Sequence, residues 1–214
     1  YAISYVANDQ VVSQKGLTIT ADAQATTYGD AALTIGNTEF STSGLVNSET
    51  VGTATLATTV DNTTSAGTAT NAVTATSVTG GSFTAGNYAI SYVANDQVVS
   101  QKGLTAISTA TDKSYDATTN ATATLVLSGL QNSETLTTTG VTATFADQNV
   151  ANNILVTTSG ATLVDGTGSA SNYSLVSGGI STTTADITQA VLTATSAATD
   201  KSYDATTNAT ATLV

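Results

Sequence analysis

Cysteine, proline, methionine, tryptophan and histidine are all absent from this chain of 214 residues. Arginine is absent too, because Lys15, Lys102, Lys113 and Lys201 account for all four basic residues. Each gap closes a class of chemistry. Without cysteine there is no disulfide framework and no thiol nucleophile. Without histidine the commonest general base is missing, and the two absences together exclude zinc sites of the ordinary kind. Fifteen acids against four lysines give a net charge of −11. The acids are spread evenly, six in 19–105 and six in 106–193. No basic patch is present to hold nucleic acid, and no basic amphipathic helix to lie on a membrane. No apolar run reaches membrane-spanning length, so no membrane insertion is expected in this segment. No catalytic and no cofactor-binding residue is expected, and the chain does not read as an enzyme.

Repetition dominates what is present. YAISYVANDQVVSQKGLT at 1–18 returns letter for letter at 88–105, and ATDKSYDATTNATATLV at 110–126 returns at 198–214. Looser matches pair SGLVNSET at 43–50 with SGLQNSET at 128–135, and TTYGDA at 26–31 with KSYDAT at 113–118. All spacings lie near 87 residues, the distance from Tyr1 to Tyr88. The sequence therefore divides into 1–18, the tail of a preceding repeat; 19–105 and 106–193, two full repeats; and 194–214, the head of a following one.

Threonine supplies about a fifth of the residues, and aliphatic residues alternate with it. In VTATF, Val141, Ala143 and Phe145 share one face. In ATATLVL, Ala121, Ala123, Leu125 and Leu127 do the same. A period of two marks strands with one buried and one wet face, and threonine's branched Cβ suits the wet one. Gly, Asn, Asp and Ser fill the breaks, as in DGTGS at 165–169, which reads as a hairpin. The fold class expected is all-β: tandem small antiparallel β-sandwiches of immunoglobulin-like type, with about six or seven strands in each. The alternation runs through the junctions at LTIT and VLTAT with no loose linker, which predicts an elongated rod.

The TYGDA head, GNYAISY and the closing VVSQKGLTIT resemble the MBG domain. KSYDATTNATATL, SGLQNSETL, NYSLVSGG and ADITQAVLT resemble the related YDG domain. Where such domains commonly carry proline in the closing motif, this chain has Gln14, Gln101 and Gln189. The resemblance implies a repeat of very large secreted or surface-anchored bacterial proteins, including filamentous-haemagglutinin-like adhesins, and an extracellular or cell-surface location.

The recurring acids are the remaining candidates for a site. Asp30, Asp116 and Asp204 recur at the repeat heads beside Tyr28, Tyr115 and Tyr203. One reading makes them Ca²⁺ ligands between repeats. The plainer reading, which we favour, makes each a turn cap. Glu49 and Glu134 sit at matching positions, and the plainer reading keeps them wet on a turn. Two functions stand against each other. The first is a structural repeat of a bacterial fibre or adhesin stalk, whose partners are neighbouring repeats or subunits of the same kind. The second is a ligand-binding adhesin repeat that grips a glycan, or a host or environmental surface, directly. Seven of the eight tyrosines lie at repeated framework positions, which favours the first.

Overall fold

The structure, a computed structural model, describes residues 1–213. The first repeat forms β1 (Lys15–Ala21), β2 (Gln24–Thr27), β3 (Phe40–Ser43), β4 (Val51–Thr58), β5 (Gly67–Gly81), β6 (Tyr88–Val93) and β7 (Asn95–Ser100). The second forms β8 (Lys102–Ala110), β9 (Lys113–Ser114), β10 (Asn120–Ala121), β11 (Ala123–Ser128), β12 (Leu136–Thr139), β13 (Thr142–Phe145), β14 (Ala151–Ser159), β15 (Thr162–Asp165), β16 (Tyr173–Ile180) and β17 (Thr183–Thr188). Short strands β18 (Ser196–Ala198) and β19 (Ala211–Leu213) follow. Single 3-10 turns at Ala85–Asn87 and Ala170–Asn172 lead into β6 and β16. The all-β expectation holds.

Strand order is β3–β1–β6 and β2–β7–β5–β4 in the first repeat. The other sheets run β10–β13–β14–β17–β9, β11–β8–β16, β12–β15 and β18–β19. Antiparallel ladders such as β4–β5 and β13–β14 match expectation. The pairings β1–β6, β2–β7 and β9–β17 do not: they run parallel. In each, a strand near the start of a repeat pairs with one near its end. Parallel neighbours need a long crossover, and here nearly the whole repeat serves as one. The DGTGS stretch is not a hairpin. It carries the chain from β15 into the second 3-10 turn, where Asp165 Oδ1 accepts from the Ala170 N–H at 2.6 Å.

The alternation sorts the strands as read. Leu17, Ile19 and Ala21 of β1 are buried, as are Ile154, Val156 and Thr158 of β14. The threonines of β13 face water while Phe145 is buried.

The chain forms two compact units. One takes residues 1–106, 127–139 and 162–179, so it holds the first repeat together with two segments of the second. It has two apolar centres. Leu17, Ile19, Ala75 and Tyr88 form the first. The second joins Tyr28, Val60, Ala72, Val99 and Leu104 from the first repeat to Leu136 and Tyr173 from the second. The other unit takes 107–126, 140–161 and 180 onward. Phe145, Ile154, Val156, Ala185 and Ile187 form its centre. A buried hydroxyl pair, Ser108 Oγ and Thr158 Oγ1 at 2.7 Å, satisfies the polar atoms that alternation places inside it.

Residues 1–14 have no regular structure and are exposed, although the same sequence at 88–101 forms β6 and β7.

Candidate functional site

The mixed centre of the larger unit is where residues from two repeats do specific chemistry. Tyr28 follows β2 directly, and its N–H donates to the Ser100 carbonyl at 2.9 Å. That bond ends the parallel β2–β7 ladder and turns the ring inward. Gly29 comes next at φ +82°, a conformation that favours glycine, and a Cβ there would collide with the Gln131 side chain. Tyr173 opens β16 after its 3-10 turn. The rings meet edge to face, centroids 5.3 Å apart at 80°, a favourable aromatic arrangement.

Both phenols are buried, at 3 % and 2 % exposure, and both donate to one carboxylate. Tyr28 Oη donates to Glu134 Oε1 at 2.5 Å, and Tyr173 Oη donates to Glu134 Oε2 at 2.5 Å. Tyr173 Oη also accepts from the Gln131 N–H at 3.0 Å. Glu134 is therefore not the wet turn residue of the plainer reading. Its two oxygens tie it to Tyr28, 106 residues away, and to Tyr173, 39 residues away. Short hydrogen bonds to a charged acceptor are the strong kind, and sharing one carboxylate fixes the separation of the two rings.

The electrostatics follow. Burial first, then donation to Glu134, pushes the Tyr173 phenol up to about 12. The Glu134 hydrogen bond, followed by burial, raises that of Tyr28. Ionising either phenol would set a second negative charge beside the carboxylate and remove a donor.

Amides extend the arrangement. Asn62 Nδ2 donates to Asn132 Oδ1 at 3.2 Å, and Asn132 Nδ2 returns a bond to the Asn62 carbonyl at 3.1 Å. Asn172 Oδ1 accepts from the Ala66 N–H at 2.9 Å. Gln101, where the resembling domains have proline, donates to the Ser171 carbonyl at 2.9 Å. Asn132 and Ser133 sit at φ 52° and 57°, the left-handed turn that lifts Glu134 toward the tyrosines.

The same frame recurs inside the first repeat. Tyr88 Oη donates to Glu49 Oε2 and accepts from the Val46 N–H at 3.2 Å. Gln14 Nε2 donates to the Gly86 carbonyl at 3.1 Å, and Asn47 and Ser48 repeat the left-handed turn at φ 52° and 58°. The Tyr88 phenol is raised chiefly by the Glu49 bond. Glu49 is thus no more a free turn acid than Glu134.

The three aspartates of the calcium reading each face an ammonium. Asp30 lies 3.4 Å from Lys102 Nζ, Asp116 2.7 Å from Lys113 Nζ and Asp204 2.8 Å from Lys201 Nζ. Asp116 and Asp204 also cap the turns that follow them, accepting from the N–H and hydroxyl of Thr118 and of Thr206. Lys113 and the Thr118 bonds hold the Asp116 carboxyl down to about 2. Among the described residues, no group of three or more acids gathers as a metal site would need. Sequence reasoning passed over Glu134's role. The available signal was a tyrosine, a glutamate and a second tyrosine recurring at fixed places in the repeat.

Residues 17–96 match the MBG domain of the YGX type, and residues 100–185 match the YDG domain. No curated protein and no solved structure matches the chain.

Proposed function

We propose that this chain, an MBG domain followed by a YDG domain and so a repeat-type module of bacterial surface proteins, is a structural segment of an extracellular fibre or adhesin stalk. Its work is mechanical: to carry load and hold spacing between whatever flanks it. One observation carries this reading. The first repeat and part of the second share an apolar centre locked by Tyr28, Glu134 and Tyr173. A flexible tether would put only a polar linker between the repeats, with no apolar centre shared across it. A shared centre instead couples neighbours, and repeated coupling gives arrays their stiffness.

Small-angle scattering on a chain of four such repeats tests it. At about 3.3 Å per strand residue over some ten to thirteen residues, each repeat adds roughly 30–45 Å. The maximum dimension should then approach four times that of one repeat. A short, broadly distributed dimension would mean hinged beads and would reject the stalk reading.

A further inference from the structure

Gln97 lies in the middle of β7 and is fully buried, at 0 % exposure. Its Oε1 accepts from the Thr58 hydroxyl at 2.6 Å. Among the described residues, its Nε2 amide has no hydrogen-bond partner. Thr58 ends β4, and β5 runs between β4 and β7. Val73 of β5 pairs with Thr58 on one side and with Asn95 on the other, so the Thr58–Gln97 bond crosses β5. It does so beside a bulge that shifts the β5–β7 register between Ala69 and Val73. The Val60 N–H donates to Thr58 Oγ1 at 3.1 Å and holds the hydroxyl in place.

The fold does not require a polar pair at this place. The second repeat has a matching bulge, between Ala151 and Ile154. There the Asn153 N–H donates to Asp186 Oδ1, as the Asn71 N–H donates to Asp96 Oδ1 in the first. Ile187 follows Asp186 and so takes the place of Gln97. On the adjoining ladder, the Ala146 N–H donates to the Leu155 carbonyl as the Thr59 N–H donates to that of Ala72. Phe145 therefore takes the place of Thr58. Phe145 and Ile187 are both buried in one apolar centre. Beside such a pair, a buried amide with an unpaired donor is costly.

We propose that Thr58 and Gln97 are the site of an intramolecular ester cross-link that the chain forms in itself. Thr58 Oγ1 attacks Gln97 Cδ. The Oγ1–Cδ bond forms, the Cδ–Nε2 bond breaks, and the hydroxyl proton goes to the departing nitrogen, which leaves as ammonia. The balance needs no oxidant and no second substrate. Holding nucleophile and carbonyl in contact is worth an effective molarity on the order of 10⁵–10⁸ M. Burial keeps water from competing for the carbonyl. The product is the better-satisfied state. It has lost the amide donors that lack an acceptor, and the ester oxygen still accepts from the Val60 N–H. The ester closes residues 58–97 into a loop and fixes β4 to β7 across β5. Closing a loop covalently lowers the entropy of the unfolded chain. This goes beyond the structural-repeat reading and does not depend on it.

Intact-mass spectrometry of the 214-residue chain tests it, with the folded protein held at neutral pH until its mass is constant. The mass should fall short of the sequence mass by one ammonia, and a digest should contain a branched peptide joining the segments around Thr58 and Gln97. Hydroxylamine should cleave that branch, as it cleaves esters. Thr58→Ser keeps a hydroxyl and should keep the loss of ammonia. Thr58→Val and Gln97→Met should both show the full sequence mass, with far-UV dichroism checking that they remain folded. A folded native chain at full sequence mass overturns the cross-link, and so does a loss of ammonia that survives in Thr58→Val. An elongated four-repeat chain at full mass rejects the cross-link and leaves the stalk reading standing. A collapsed four-repeat chain that has lost ammonia through Thr58 does the reverse.

Discussion

At the scale of single residues, the decisive atoms are the two oxygens of Glu134. Each accepts from a buried phenol, so removing either donor strands half of a charged group. Tyr28→Phe and Tyr173→Phe should each cost about 1–3 kcal/mol, read from denaturant midpoints. The double variant should fall short of their sum, because the two share one carboxylate. The junction should also weaken in alkali. Tyr173 titrates at 10.0 ordinarily and at about 12 in the fold. A raised folded value means that the stabilisation is complete below pH 10 and is lost as pH rises toward 12. Tyr28 and Tyr88 shift in the same direction. Unfolding followed from pH 9 to 12 should therefore steepen in the native chain, and Tyr173→Phe should flatten it. Asp116 shows the opposite sign. Held down to about 2, it contributes above the ordinary 3.8 and loses that contribution as pH falls through about 2. Carbon-13 titration should find its midpoint there, and Lys113→Gln should return it toward 3.8.

At the scale of elements, the duplicated sequence makes an internal control. Residues 88–93 form β6 because β1 offers a ladder from Lys15↔Tyr88 to Thr20↔Val93. Residues 95–100 form β7 because β2 and β5 flank them. Residues 1–13 have the same letters but pair with no strand among the described residues. Hydrogen exchange should show this within one mass. A peptide spanning YAISYVANDQVVS arises from both copies, so its envelope should split into a population exchanged at once and a protected one. A single envelope would contradict the difference in pairing. Turns between elements are equally specific. Gly44 lies at φ +110°, and a Cβ there would press on the Gly16 carbonyl oxygen at the edge of the β1–β3 ladder. Gly44→Ala should cost about 2–4 kcal/mol through backbone strain and the lost pairing, measured by thermal unfolding.

At the scale of the molecule, a repeat does not keep all of its buried apolar residues in a centre of its own. The sequence suggested modules with a centre each, because some 87 residues suffice for a marginal core. The structure has such centres, one around Leu17 and Ile19 and one around Phe145 and Val156, and adds a third that the two repeats share. Leu136 and Tyr173 belong to the second repeat but share a centre with Tyr28, Val60, Ala72, Val99 and Leu104 of the first. With little aromatic bulk and much alanine, half-centres pooled from two repeats bury more than either half alone. The second repeat cut out as 106–193 should therefore be less stable than in the full chain. The expected loss is roughly 2–5 kcal/mol, the scale of removing one or two large core side chains. Equal midpoints for the fragment and the full chain would mean that the shared centre adds nothing.

Local chemistry was legible in the letters. Strands with wet threonine faces follow from a period of two, as Phe145 and its exposed neighbours show. The Lys–Asp–Thr turn forms in both copies of its sequence. Lys113 holds Asp116 and Thr118, and Lys201 holds Asp204 and Thr206, with Ala117 and Ala205 at φ 61° and 59°. All its bonds lie within five residues, so the same letters close the same loop wherever they stand. Nothing local, however, could settle the parallel pairings, the sharing of a centre between repeats, or the role of Glu134. Those depend on partners 39 to 106 residues away. One stretch, YAISYVANDQVVS, is strand at 88–100 and irregular at 1–13, because a strand gains its hydrogen bonds only from a neighbour that the rest of the fold brings to it.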